Sequence, residues 1–313
     1  MYTIVSICFQ YCQLFHSAFF MNFNDAIDST KLDNVSFINW LSSQKIIPDI
    51  NHPRYCSSCG SLMKIEYNDN YSDGAMYRCI SKNCRNRMSI RLDSWISKSK
   101  ISLKTFIIVL ACWVNKFNVK TTAEFSGVSE KTSRNYFKIF REIAEKEYRL
   151  DIFRKPLGDG VVQIDESQFF KAKYNIGVGL SRDEIWLFGE IDSETLRVVV
   201  EICDDRKAET LIPIITSTVR PFSTIFSDQW KAYNTLSYYG FNHYTVNHSR
   251  NFVDPNTGAN TQKIEGTWNI IKQFLDKNGL KDRNNLELYV HEWCFRRNIG
   301  NTFDKCWKAI IGN

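Results

Sequence analysis

The apolar positions of this chain follow two different rhythms. From about residue 102 to 148 they recur at helical spacing, beginning with Leu103, Phe106, Ile107, Leu110, Ala111 and Val114, and the stretch is predicted to be helical. Before it, Val35–Leu41 predicts a short helix that Asn51-His52-Pro53 breaks off. After Val161 the apolar residues gather instead into short runs bounded by turn formers, the pattern of strands. Ile185–Ile191 and Leu196–Ile202 predict a hairpin around Asp192–Thr195. Thr210–Ile215 predicts a helix whose Pro213 is expected in the first turn, where a missing N–H costs nothing. Ser223–Phe226 and Tyr244–Val246 predict further strands. A helix follows from Gln262, with Ile264, Trp268, Ile271 and Leu275 on one face.

Three acidic residues sit at the ends of these elements. Asp165 closes the run from Val161, Asp228 closes the run from Ser223, and Glu265 opens the late helix. Asp165 and Asp228 are 63 residues apart (228 − 165), room for three strands and a helix. Asp228 and Glu265 are 37 apart (265 − 228), room for one more strand and a polar loop. Three strands, a helix and a fourth strand carrying the second acid is the order of a ribonuclease-H-like α/β fold. Two acids at strand ends and a third on a helix suit Mg²⁺, which takes oxygen ligands and only one or two carboxylates beside water and phosphate. Two such ions can stabilise the attacking and leaving oxygens of an in-line displacement. Any one of these acids alone reads as a solvated surface group; the joint arrangement does not.

The ten cysteines divide in a way that opposes a disulfide framework. Cys56 and Cys59, then Cys79 and Cys84, stand in C-x₂-C and C-x₄-C pairs, with Gly60 after the first pair. Four thiolates at that spacing predict a closed tetrahedral Zn²⁺ site of the zinc-ribbon kind, built around two short strands and a turn at Asp69–Gly74. Cys8, Cys12, Cys112, Cys203, Cys294 and Cys306 are scattered in mostly apolar surroundings and read as buried thiols of a reducing compartment.

Within the helical stretch, Thr121–Phe137 reads as a short helix, a turn at Gly127 and a second helix capped by Ser129, a helix-turn-helix. Placed in a major groove, its second helix would offer Lys131, Arg134, Asn135 and Lys138 to DNA. The alternative is a plain helical bundle with a charged, solvated face. A hydrophobic content of 43% and a charged content of 24% describe an ordinary globular protein, and the net charge of +6 suits a polyanionic partner. Residues 1–23 carry no charge, but polar interruptions and the lack of a basic leader argue against a signal peptide or anchor. Residues 1–20 are expected to lie upstream of the true start, Met21, and no membrane association is expected.

The series Ile164-Asp165-Glu166-Ser167, Trp186–Gly189, Ser227–Tyr233, Val246–Ser249, Phe252–Pro255 and Thr261–Trp268 resembles the Merlin-type DDE transposases, eukaryotic relatives of a bacterial insertion-sequence family. The resemblance covers roughly residues 50–300. It implies a catalytic triad of Asp165, Asp228 and Glu265 on a ribonuclease-H-like domain, using two Mg²⁺ or Mn²⁺ ions beside the structural Zn²⁺. It implies cut-and-paste transposition: hydrolysis at a terminal inverted repeat, then attack of the freed 3′-hydroxyl on target DNA. Double-stranded DNA, a homo-oligomer in the synaptic complex and a nuclear location follow from the same resemblance. The chain departs from the family at Tyr174–Gly179, at Pro221-Phe222 and at Asn260, where relatives carry a histidine. His248 and Asn260 are the supporting polar residues near the acids, whereas Glu166 is expected to point to the opposite face of its strand.

The expected organisation is therefore an extension over 1–50, a zinc ribbon over 51–95, a helix-turn-helix segment over 96–155 and the catalytic domain over 156–313. The competing reading is a transposase-derived DNA-binding protein that cuts weakly or not at all. A nuclease or resolvase of the same fold, without strand transfer, would share the metal site but would not need the N-terminal modules.

Overall fold

The computed structural model describes residues 20–170, 185–278, 285–300 and 302–312. The expectations for residues 1–19, for Cys8 and Cys12, and for the departure at Tyr174–Gly179 lie outside them. Two compact units divide the chain, one containing residues up to Glu130 together with Phe303 onward, the other Lys131–Thr302. They are coarser than the four stretches read from the sequence, and the last helix belongs with the first unit.

In the first unit, α1 (Phe23–Ser29) and α2 (Asn34–Ser43) begin at side-chain caps. Asn22 closes a capping box with Asp25, and the Asp33 carboxylate accepts from the N–H groups of Val35 and Ser36. A three-stranded antiparallel sheet follows, of β1 (Met63–Tyr67), β2 (Ala75–Cys79) and β3 (Arg87–Ser89). The Arg91 guanidinium is buried against the Asp73 carboxylate and donates to the carbonyls of Ser99 and Ile101. That network ties the end of the sheet to α3 (Leu103–Val114), whose first amide, on Leu103, also bonds Asp73 at 3.0 Å. Its apolar positions are almost all buried, as their spacing predicts. α4 (Val119–Ser126) ends at Gly127, whose φ of +71° is the left-handed cap that glycine adopts without strain. Helix α9 (Phe303–Ile311) packs on α3, and Asp304 accepts from the Met21 amide at 2.8 Å.

In the second unit α5 (Glu130–Arg154) is held at mid-length by a buried ion network. Arg141 pairs with Glu292 at 2.7 Å, and Arg296 meets the same carboxylate at 2.9 Å. Both Glu292 and Arg296 lie on α8 (Leu286–Asn298). A mixed sheet of five strands forms the centre, in the order β6-β5-β4-β7-β8. Its strands are β4 (Val162–Phe170), β5 (Ile185–Asp192), β6 (Val198–Cys203), β7 (Thr224–Ser227) and β8 (Asn242–Thr245). The first three are antiparallel neighbours, while β7 joins β4 in parallel and β8 joins β7 in parallel. This is the sheet expected of a ribonuclease-H-like core. Leu187–Asp192 are buried without alternation because β5 lies between β4 and β6 and is covered by α7 (Gln262–Lys277).

The helix after β6 differs from expectation. α6 (Ala208–Thr218) begins two residues before Thr210, so Pro213 stands in its second turn. The Glu209 carbonyl then has no helical donor; both Glu209 and Pro213 are exposed, so water can satisfy it.

Asp192 organises the far end of β5. Its carboxylate accepts from four backbone N–H groups, those of Gly158, Gly160, Glu194 and Thr195, each at 2.9–3.0 Å. Burial alone would raise its pKa, but these donors outweigh burial and bring it down to about 2. Because the folded value is depressed, the stabilisation is complete above the ordinary value of 3.8 and disappears as pH falls toward 2. Asp192→Asn is expected to destabilise the protein by about 2 kcal/mol near neutral pH. In urea unfolding the gap between variant and wild type should close on acidification below 3.8; a gap independent of pH would refute the assignment.

Candidate active site and cysteine quartet

The parallel pairing of β4 and β7 brings two of the acids to the same level. Val162 pairs with Ile225 and Gln163 with Phe226, so three residues beyond the first pair stand Asp165 and Asp228. Asp228 follows the end of β7 as expected, but Asp165 lies inside β4, which pairs with β5 as far as Phe170. Glu265 comes from the first turn of α7, which packs on β4 and β5. Gln163 carries that attachment. Its Oε1 accepts from the amides of Lys263 and Ile264 at 2.8 and 3.3 Å, and its Nε2 donates to Asn260 Oδ1 at 2.8 Å. A side chain two residues before the first acid therefore caps the helix that carries the third.

Each acid is held by a protein donor. The Trp268 indole N–H donates to Asp165 Oδ2 at 2.9 Å, and the Trp230 amide donates to Asp228 Oδ1 at 2.9 Å. Thr261 Oγ1 donates to Glu265 Oε1 at 2.6 Å, and His248 Nε2 lies 2.8 Å from the same hydroxyl and 3.4 Å from Glu265. His248 thus stands behind Glu265, while Asn260 acts one step further away, through Gln163.

The three carboxylates do not form a ready ligand set in these rotamers. Among the described residues, the groups whose ligand atoms all lie within 4.8 Å of one another are the cysteine quartet and Glu145, Glu287 and His291. In the latter group Arg149 already supplies a positive charge, 3.1–3.4 Å from Glu145, Glu201 and Glu287. The acids nevertheless act on one another electrostatically. Burial pushes the Asp165 carboxyl up to about 6; the Trp268 N–H opposes this, and the negative charges of Asp228 and Glu265 add to it. A divalent cation would relieve that repulsion, and hard carboxylate oxygens are the donors Mg²⁺ prefers. The residues therefore fit the ion in chemistry, and one or two of the carboxylates at a time satisfy its needs.

Gly189 stands directly opposite Asp165 on β5. A Cβ there would lie 2.4 Å from the Trp268 ring and 2.9 Å from Ile264, so only glycine lets the indole reach the acid. Gly189→Ala is expected to displace Trp268 and to cost about 1–3 kcal/mol of stability through overpacking. It should also slow any reaction dependent on Asp165 about tenfold or more. A crystal structure of the variant with the indole unmoved would contradict this.

In the first unit the four thiols converge. Cys56 and Cys84 sulfurs are 3.7 Å apart, Cys59 and Cys79 sulfurs 3.5 Å apart, and all four lie within 4.8 Å of one another. A Zn²⁺ with bonds of about 2.3 Å places tetrahedral sulfurs about 3.8 Å apart, so the quartet fits that ion. The Ser58 backbone N–H helps draw the Cys56 thiol down to about 6, whereas burial pushes the Cys79 thiol up to about 12. Cys112, Cys203, Cys294 and Cys306 are buried.

On α5, Lys131, Arg134, Asn135 and Lys138 are exposed, while Ser133, Phe137 and Phe140 are buried. The four recur at i, i+3, i+4 and i+7 and so share one face. Lys138 lies 3.9 Å from Glu142. Among the described residues no helix is long and apolar enough to cross a membrane.

Residues 160–298 match the model of the ISXO2-like transposase domain. An uncharacterized transposase-like protein of Haemophilus influenzae is 32% identical over 103 residues, which are 33% of this chain and 81% of that protein. Among solved structures, a chain of the simian T-cell lymphotropic virus intasome is 20% identical with a TM-score of 0.31; the match covers 44% of this chain and about half, 48%, of that one. The HTLV-2 integrase catalytic core domain in complex with magnesium is 18% identical with a TM-score of 0.30, over 44% of this chain and 86% of that one. The pre-cleavage Mos1 transpososome gives 13% identity and a TM-score of 0.23, over 65% of this chain and 77% of that one.

Proposed function

Since this chain belongs to a transposase family, we propose that it cuts and joins DNA at Asp165, Asp228 and Glu265, by the cut-and-paste route of the Merlin-type enzymes. The observation that carries this reading is the register of β4 and β7, which brings two acids level beside the helix bearing the third. In this reading the three carboxylates hold two Mg²⁺ or Mn²⁺ ions. The chemistry such ions supply when bound is activation of a water toward a phosphodiester and neutralisation of charge on the leaving oxygen. The chain's own side chains orient the acids. Trp268 fixes Asp165, the Trp230 amide fixes Asp228, and Thr261 backed by His248 fixes Glu265. Gln163 keeps the third acid's helix against the first acid's strand.

DNA at the terminal inverted repeats and at the target would be held by more than the acids. Lys131, Arg134, Asn135 and Lys138 form the face that would enter a major groove, as the second helix of a helix-turn-helix. The cysteine quartet would hold a structural Zn²⁺. Synapsis of two ends would need a homo-oligomer.

Incubation of the full chain with duplexes ending in the inverted repeats that bracket its gene, with Mg²⁺ or Mn²⁺, tests the reading. Cleavage at the repeat end and joining of the 3′ end to a second duplex are expected. Binding without cleavage under either ion would leave a transposase-derived DNA-binding protein in its place.

A further inference from the structure

A second charged feature lies beside the acids, and the proposed chemistry does not use it. Arg206, in the link between β6 and α6, places its guanidinium over two indoles, 4.1 Å from the Trp186 ring centre and 4.4 Å from that of Trp230. Its backbone is pinned in the same place, because Trp230 Nε1–H donates to the Arg206 carbonyl at 2.9 Å. Trp230 is two residues past Asp228, so this clamp travels with the second acid. On the other side stands Glu166, next to the first acid, with its side chain 3% exposed and that of Arg206 32% exposed. Burial, with the charges of Asp165 and Asp228, pushes the Glu166 carboxyl up to about 8, and Arg206 opposes them.

The contact between Arg206 and Glu166 is incomplete. Their closest approach is 3.7 Å, outside hydrogen-bond range, and Glu166 Oε1 is buried without a hydrogen-bond partner. A guanidinium stacked on indole rings keeps its N–H groups at its edge, in its own plane. That edge is partly open to solvent and is the geometry that grips a phosphate with two parallel hydrogen bonds. Two indoles also hold a planar cation better than a flexible ammonium, so the clamp selects arginine over lysine.

We propose that Arg206, clamped by Trp186 and Trp230, binds a backbone phosphate of the DNA next to the three acids. The proposal rests on the reading of those acids as the cutting site, for it takes that DNA to be the ligand.

Equilibrium binding of a fluorescein-labelled duplex of about three helical turns to the full, zinc-loaded chain tests this. No Mg²⁺ is added, and potassium chloride is varied. Arg206→Gln should bind about tenfold more weakly at low salt. Its plot of log Kd against log salt should be shallower by about 0.9, the loss of one phosphate contact. Arg206→Lys should keep the wild-type slope and bind about threefold more weakly. An Arg206→Gln protein that melts with wild type and retains its slope overturns the proposal. If Arg206→Gln does not fold, wild-type affinity in Arg206→Lys overturns it instead. Because no cutting takes place in this assay, its outcome is independent of whether the acids prove catalytic.

Discussion

Asp228→Asn is expected to slow strand cleavage by about a thousandfold or more while leaving the fold intact. The asparagine retains the Oδ1 that accepts from the Trp230 amide, so the turn after β7 survives and only the negative charge is lost. The same logic holds for the other two positions. Asp165→Asn still accepts from the Trp268 indole, and Glu265→Gln still accepts from the Thr261 hydroxyl. These substitutions therefore separate a metal-binding role from a structural one, which alanine would not. Rates measured in Mg²⁺ on a repeat-end duplex, alongside melting temperatures, make the comparison. Wild-type cutting by all three variants would remove these acids from the chemistry.

Removal of zinc is expected to unfold the sheet of β1, β2 and β3. The module's buried residues, among them Met63, Ala75, Tyr77 and Ile90, are too few to hold three short strands together unaided. Zinc binding to such a site contributes on the order of 10–16 kcal/mol near neutral pH, far more than that core supplies. Cys79→Ser takes one ligand from the quartet and should have the effect of chelation. Hydrogen exchange of the amides in β1 and β2 is the measurement, together with about one zinc per chain by metal analysis of the wild type. A metal-free protein whose strands remain protected would show that the thiols serve another purpose.

Local pattern was enough to recover much of this protein. The helical spacing of Leu103–Val114, the hairpin of β5 and β6 and the apolar face of α7 all appear where periodicity predicts them. The cysteine spacing likewise predicts sulfurs that converge. Each of these signals lies within a short window, and backbone geometry alone converts its spacing into a shared face or a shared corner. The strand β3 was missed because its three residues carry no alternation long enough to read.

What could not be read locally are the contacts across the fold. Trp268 reads as a packing residue, yet its N–H reaches Asp165, 103 positions away. Gln163 caps a helix 100 positions later, and Arg206 is clamped by one ring on β5 and another beyond β7. No spacing rule announces such pairs, because the partners are brought together by sheet order and not by sequence distance. Gly189 belongs with them, for its missing side chain matters only once an indole lies over it.

The amino-acid order by itself determined which segments become helix or strand, where four thiols converge, and which segments carry the acids. Those are consequences of backbone period and side-chain type over a few residues. Only the tertiary structure decided how each acid is held and what stands beside the acids. Those depend on the parallel register of β4 with β7 and on the seating of α7, and burial then sets the charge each group can carry.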